Sequence, residues 1–134
     1  MADLACPCGR LGAAKRPLGL AQCCGRYLAD FAGTPAPDAE SLMRSRYSAF
    51  VLGRSDYLLA TWHASHRPSE LVLESGVKWL GLEVRQHVVL DEAHAEVEFV
   101  ARQRERSGRA VRLHERSRFV REDGRWYYVD GDQF

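Results

Sequence analysis

The chain has 134 residues, 46% of them hydrophobic and 28% charged, with a formal net charge of +1. This length and composition fit one ordinary globular core without disulfide support, and the charge balance excludes a strongly basic nucleic-acid binder or an acidic solvating tail. No stretch approaches the ~20 apolar residues of a membrane span, and residues 1–8 lack the basic start and apolar run of a secretory signal. The expected location is therefore the cytoplasm, with no membrane partner.

All four cysteines lie near the N-terminus, as Cys6-Pro7-Cys8-Gly9 and Cys23-Cys24-Gly25, with fourteen residues between Cys8 and Cys23. In a reducing compartment such clustering points to a metal more than to a disulfide framework. Two close thiol pairs joined by a loop can supply the four ligands of a tetrahedral zinc site, and with no histidine in the segment an all-thiolate, structural site is the simple reading. A redox pair and inert buried thiols are the alternatives. Adjacent cysteines bridge only with strain, and the C-x-x-C redox spacing is absent. Residues 1–33 are thus expected to form a small zinc-binding lobe. It ends at Gly33-Thr34-Pro35-Ala36-Pro37-Asp38, where each proline forces its predecessor into extended geometry.

The main domain is expected over 34–134. Asp38 is placed to cap a helix over 39–52 that stops at Gly53; Ala39, Leu42, Met43, Tyr47, Ala49 and Phe50 share one face. A short helix is expected over 55–62 and a third from Pro68 to Gly76. Four alternating segments follow, over 79–90, 95–103, 110–121 and 125–130. Three-residue Arg106-Ser107-Gly108 and two-residue Asp123-Gly124 turns separate the last three. Helices first and then an antiparallel meander predict an α+β domain with the helices packed on one sheet face.

Several of these residues resemble known families. The C-P-C-G…C-C-G pattern resembles the SEC-C motif, a small zinc module. Leu42 to Val51, Asp56 to His63, Trp79 to Leu82, Glu115 to Phe119 and Trp126 to Gly131 resemble the bacterial YchJ family. The resemblance covers nearly the whole chain. It implies a nuclear-transport-factor-2-like (cystatin-like) cone of curved sheet and helices around a cavity, and it brings no activity with it.

Register arithmetic locates a polar constellation on the covered face. The two turns pair Phe119 with Tyr128, Ser117 with Asp130, Phe99 with Glu115 and Val97 with Ser117. They also set Glu98 and Glu96 opposite Arg116 and Arg118. Glu115 and Asp130 then point to the apolar side, and Arg46 sits at the centre of the apolar helix face. An unpartnered buried charge is costly, so Arg46 is expected to meet Glu115 with Asp130 nearby. Two readings follow: a structural ion pair, or a ligand pocket of Arg46, Glu115, Asp130, Ser117 and Tyr128 walled by Trp62 and Trp79. A poised carboxylate pair doing acid–base chemistry is a third. The five histidines read as surface or cap residues. Arg102 to Arg121 holds eight arginines against two glutamates, which fits either phosphate contact or a solvated strand face. The function expected from all this is a non-enzymatic module that recruits a protein partner through its zinc lobe. The alternatives are an enzyme or small-molecule receptor using the cavity, and nucleic-acid binding through the arginine hairpin.

Overall fold

The computed structural model describes residues 4–134, so residues 1–3 of the expected lobe lie outside the described residues. Helix α1 (Gly25–Ala29) closes the cysteine segment. Helix α2 (Ala39–Leu52) and helix α3 (Ser55–Ala60) follow, and then strands β1 (Lys78–Asp91), β2 (His94–Arg104), β3 (Ala110–Glu122) and β4 (Arg125–Gln133). The strands form one antiparallel meander in the order β1-β2-β3-β4. Among the described residues no helix is long and apolar enough to cross a membrane.

Helix α2 starts and stops where its sequence directs. Asp38 is extended and its Oδ1 accepts from the Ser41 amide at 2.7 Å, and Gly53 caps the other end in the left-handed region. The expected apolar face is buried: Ala39, Leu42, Met43, Tyr47 and Ala49 are at most 5% exposed. The other side of the helix is also covered. Ser41, Ser45 and Ser48 are buried there, and their small side chains let the N-terminal segment and α3 approach closely. Ser45 Oγ bonds the Leu42 carbonyl and the Tyr57 hydroxyl, each at 2.7 Å, and Arg10 donates to Ser41 Oγ at 2.9 Å. The cysteines and α2 therefore belong to one continuous core.

Three expectations need correction. Residues 68–76 form no helix. Leu71 and Leu73 turn inward while Val72 between them is 79% exposed, so the segment alternates like an extended chain. Its nine residues are too few to hold a helix without packing a helical face. The second helix stops at Ala60 because Thr61 to His63 bond the free edge of β4: the Tyr128 amide donates to the Thr61 carbonyl at 2.8 Å and the His63 amide to the Tyr128 carbonyl at 2.7 Å. The alternation read along β1 is interrupted by three bulges. Trp79 and Leu82 both pack inward, whereas Leu80 and Leu90 are exposed. These bulges bend the first strand and help curve the sheet into a cone.

The hairpin turns form as read. Asp123 and Gly124 both have positive φ, 52° and 77°, and Glu122 pairs with Arg125. The β2–β3 register is as predicted over its whole length, with Phe99 opposite Glu115 and Val97 opposite Ser117. The β3–β4 register holds from the turn to Phe119 opposite Tyr128 and then shifts. Arg118 pairs with Asp130 and Ser117 with Gly131, so Val129 is an extra residue in β4. The Trp62 indole donates to the Val129 carbonyl at 3.2 Å and secures the bulge.

Replacing Asp38 with alanine removes the only side-chain cap of the main helix. The expected loss is about 1 kcal/mol, read as a fall of roughly 3 °C in melting temperature with the circular-dichroism spectrum unchanged at low temperature.

Candidate functional site

Two clusters carry chemistry. The first is the thiol cluster. Antiparallel bridges between Ala5 and Gly19 and between Leu11 and Pro17 fold residues 4–20 back on themselves, and this brings the two cysteine pairs together. Gly25 permits the closure, because any Cβ there would lie 2.5 Å from the Leu20 carbonyl oxygen. The Sγ atoms of Cys6, Cys8, Cys23 and Cys24 all lie within 4.8 Å of one another, with 3.6 Å between Cys6 and Cys8 and 3.7 Å between Cys8 and Cys23. All four residues are buried. Cys6 Sγ also lies 3.6 Å from Ser48 Oγ on α2, and Arg44 Nη1 donates to the Cys8 carbonyl at 3.1 Å.

Electrostatics show what such a cluster needs. Burial, and then the charge of its neighbours Cys8 and Cys6, pushes the Cys23 thiol up to about 12. Cys24 is raised far above the ordinary thiol range, first by donating its proton to Cys6 and Cys8 and then by burial. Cys6 accepts those hydrogen bonds and is lowered. On its own the cluster therefore favours an ionised Cys6 beside protonated Cys23 and Cys24. A cation at the centre lets all four ionise, so four convergent buried sulfurs can bind a metal.

The second cluster lines a cavity of about 420 Å³ inside the cone, between α2, the curved sheet and the segment before β1. Six of the seven sequence-predicted pocket residues line it: Arg46, Glu115, Ser117, Tyr128, Trp62 and Trp79. Asp130 does not. The Val129 bulge turns it to the outer surface, where it accepts from Arg118 Nε at 2.6 Å and is held below the usual carboxylate range, chiefly by that bond.

Nor does Arg46 pair directly with Glu115. Its Nη1 donates to the Leu58 carbonyl and to Thr61 Oγ1, both at 2.7 Å, and its guanidinium carbon lies 4.5 Å from the Tyr128 ring centroid and 5.3 Å from that of Trp62. Burial lowers its pKa to about 10, with Tyr128, Tyr57 and Glu115 pulling the other way, so Arg46 stays charged at neutral pH. Glu115 Oε2 accepts from Ser117 Oγ and, at 3.3 Å, from the Tyr128 hydroxyl. Burial, reinforced by the Glu115 charge, raises the Tyr128 phenol and keeps it a neutral donor. Glu115 lies flat against Gly131, where a Cβ would come within 2.6 Å of Oε2.

Sequence reasoning missed one grouping. His63 and His66, read as scattered surface residues, both contact Ser65. The Ser65 hydroxyl lies 2.7 Å from His63 Nδ1 and 2.8 Å from His66 Nδ1, and His63 Nε2 lies 2.7 Å from Glu122. The spacing H-x-S-H was the available signal, but the Glu122 contact depends on the β4 edge pairing. Ser65 is exposed and does not line the cavity. The arginine ribbon is partly neutralised: Arg116 pairs with Glu98 at 3.1 Å, Arg118 with Asp130 and with Asp132 at 2.8 Å, and Arg102 with Glu83 at 3.8 Å.

With this geometry in view, comparison with known proteins is informative. A family model described as the YchJ middle NTF2-like domain matches residues 38–131. A UPF0225 protein of Polaromonas sp. (strain JS666) is 76% identical over 127 residues, covering 95% of this chain and 91% of the relative. One of Bordetella parapertussis is 59% identical over 129 residues, covering 96% and 92%. Two solved structures have the same fold. The crystal structure of a SEC-C motif containing protein from Psychrobacter arcticus has a TM-score of 0.77 at 33% identity, covering 94% of this chain and 80% of that one. The solution structure of a SEC-C motif containing protein from Rhodopseudomonas palustris has a TM-score of 0.81 at 31% identity, covering 98% and 99%. A cysteine cluster packed on a nuclear-transport-factor-2-like cone, together with these matches, places the chain in the YchJ family.

Proposed function

We propose that the protein is a non-enzymatic binding module in which zinc, held by Cys6, Cys8, Cys23 and Cys24, braces the cone, and the cavity takes up a small aromatic ligand. The observation that carries the reading is the cavity itself. It has about 420 Å³ of space, within the ~300–1,000 Å³ typical of ligand pockets, and a few convergent polar groups sit among aromatic walls. Phe50 and Trp79 stack at 5.6 Å between centroids on one side, and Tyr128 and Phe119 meet at 5.8 Å on another.

The choice of zinc rests on the sulfur spacing. A tetrahedron with Zn–S of ~2.3 Å sets its sulfurs ~3.8 Å apart, and the observed 3.6 and 3.7 Å separations fit it. Four protein sulfurs leave no open position for water or substrate, so zinc here would order the N-terminal segment and neutralise its thiolates. The bracing role is supported by the contact of Cys6 with Ser48 and of the Cys8 backbone with Arg44. Both contacts tie the metal ligands to the helix that forms one wall of the cavity.

A second reading, recruitment of a protein through the lobe, is favoured by two apolar side chains it leaves in solvent, Leu4 at 74% and Leu11 at 54% exposed. It predicts that replacing both with glutamate abolishes capture of the partner while leaving metal content unchanged; capture that persists would count against it.

Metal analysis of the purified, reduced protein is expected to give one zinc per chain, falling as pH is lowered because protons compete for thiolate ligands. Replacing Cys8 and Cys23 with serine should abolish the metal and lower the melting temperature by about 10 °C or more. Metal content and stability unaffected by these changes would refute the zinc assignment.

The cavity is tested by titrating small aromatic solutes and following the fluorescence of Trp62 and Trp79. Saturable one-to-one binding is expected. It should be lost in Leu73→Trp, which fills the cavity from the segment before β1, with thermal stability within about 1 kcal/mol of the parent. Binding that survives this substitution would place the ligand elsewhere.

A further inference from the structure

The polar end of the cavity also specifies the kind of ligand, an inference that rests on the cavity reading above. Both hydrogen bonds of Arg46 come from Nη1, so Nε and Nη2, with three N–H groups between them, have no protein acceptor. Glu115 receives both of its bonds on Oε2, so Oε1 has no protein donor. Among the described residues the only fully enclosed side-chain polar atom without a partner is His87 Nε2. The spare groups of Arg46 and Glu115 are therefore not sealed in protein. Both residues line the cavity. Arg46 is itself only 6% exposed, and a charged group so nearly enclosed needs an acceptor from whatever fills the space.

The two residues flank Tyr128, which stacks on the guanidinium with its ring face and donates to the carboxylate with its hydroxyl. They form no ion pair with each other. Arg46 thus presents fixed donors at the ring face of Tyr128 and Glu115 a fixed acceptor at its hydroxyl, and their charges cancel. A carboxylate ligand would satisfy Arg46 but meet the charge of Glu115. An ammonium ligand would do the reverse. A purely apolar ligand would leave both unpaired in a low-dielectric space, which is costly. A neutral ligand with an acceptor beside an N–H donor satisfies both at once. Most of the remaining lining is aromatic or aliphatic, including Phe50, Trp79, Phe99 and Leu113, while Gln103 and His114 add polar groups and Glu74 and Gln133 are exposed; the apolar majority favours a flat unsaturated body.

We propose that the cavity binds a neutral, planar heteroaromatic compound through a lactam edge, its carbonyl accepting from Arg46 and its ring N–H donating to Glu115. The site discriminates by charge and by hydrogen-bond pairing rather than by size. A site built to pair polar groups rejects analogues lacking them far more strongly than an apolar pocket rejects a missing methylene.

The test compares four bicyclic probes of similar size by calorimetry and tryptophan fluorescence on the zinc-loaded full chain. Isoquinolinone carries the lactam edge, naphthoate an anion, naphthylmethylammonium a cation, and naphthalene no polar group. Isoquinolinone is expected to bind at least about tenfold tighter than any of the others. Glu115→Gln is expected to lose most of that preference and to narrow the gap to naphthoate. If that variant fails to fold, amide chemical-shift changes in the parent protein supply the same answer, because the lactam should perturb Ser117 and Tyr128 and naphthalene should not. Binding of naphthalene or naphthoate as tightly as isoquinolinone would overturn the lactam assignment while leaving the cavity reading intact. No binding by any of the four would overturn both.

Discussion

Helix α2 has no face turned to solvent along most of its length, and the remainder of the molecule is organised around that constraint. A four-stranded sheet covers one side of a helix. The opposite side of α2 carries Ser41, Ser45 and Ser48, which contribute almost no hydrophobic driving force and would be unexceptional in water. They are buried because the cysteine segment and α3 lie on them. That segment in turn has little apolar material of its own, and its four central side chains repel one another once ionised. A divalent cation at their centre would convert that repulsion into attraction. The position of α2 against the sheet, and so the shape of the cavity, is set on one side by the cysteine segment and on the other by ordinary packing.

Arg46 illustrates how α2 tolerates a charge within its buried surface. A direct ion pair with Glu115 would remove both charges from the cavity, and the sequence alone makes that solution attractive. The chain uses a different one. The short helix α3 ends with unsatisfied carbonyls, as every helix does, and Arg46 supplies a donor to the Leu58 carbonyl and to Thr61 Oγ1. The faces of Tyr128 and Trp62 spread the remaining charge. The guanidinium thus serves as a C-terminal cap for α3, and its other nitrogens stay available.

Much of this was legible in the sequence. The Asp38 cap, the Asp123-Gly124 turn and the polar–apolar alternation of β2 and β3 are local signals that tertiary structure had no reason to override, and they fix Glu115 and Ser117 on the inner face. The thiol cluster was legible because cysteine spacing carries chemistry directly. The position of Asp130 was not, because a single extra residue reverses parity for everything beyond it. Its cause is an edge contact between Val129 and Trp62, which are 67 residues apart in the chain. The extended form of residues 68–76 was also hidden: Pro68 is an acceptable first residue for a helix, and only the presence of a cavity to fill makes alternation of Leu71 and Leu73 more favourable than a helical turn. In β1 the reading failed for a related reason, since bulges interrupt the alternation without leaving a mark in composition.

The Val129 bulge also decides the chemistry of the cavity. In an unbroken ladder Asp130 would point inward beside Glu115, and one arginine would face two carboxylates. Such a pair would carry an excess negative charge or force one member to hold a proton, and the site would favour a cation or proton transfer. The bulge removes that option. It sends Asp130 and Asp132 to the same outer side, where together they bracket Arg118. It also brings Gly131 inward opposite Ser117, leaving room for the Glu115 carboxylate to lie flat where any larger residue would displace it. One inserted residue therefore leaves Glu115 facing the cavity without Asp130 beside it, in place of a potential acid–base dyad, and this is the basis of the proposed preference for neutral ligands.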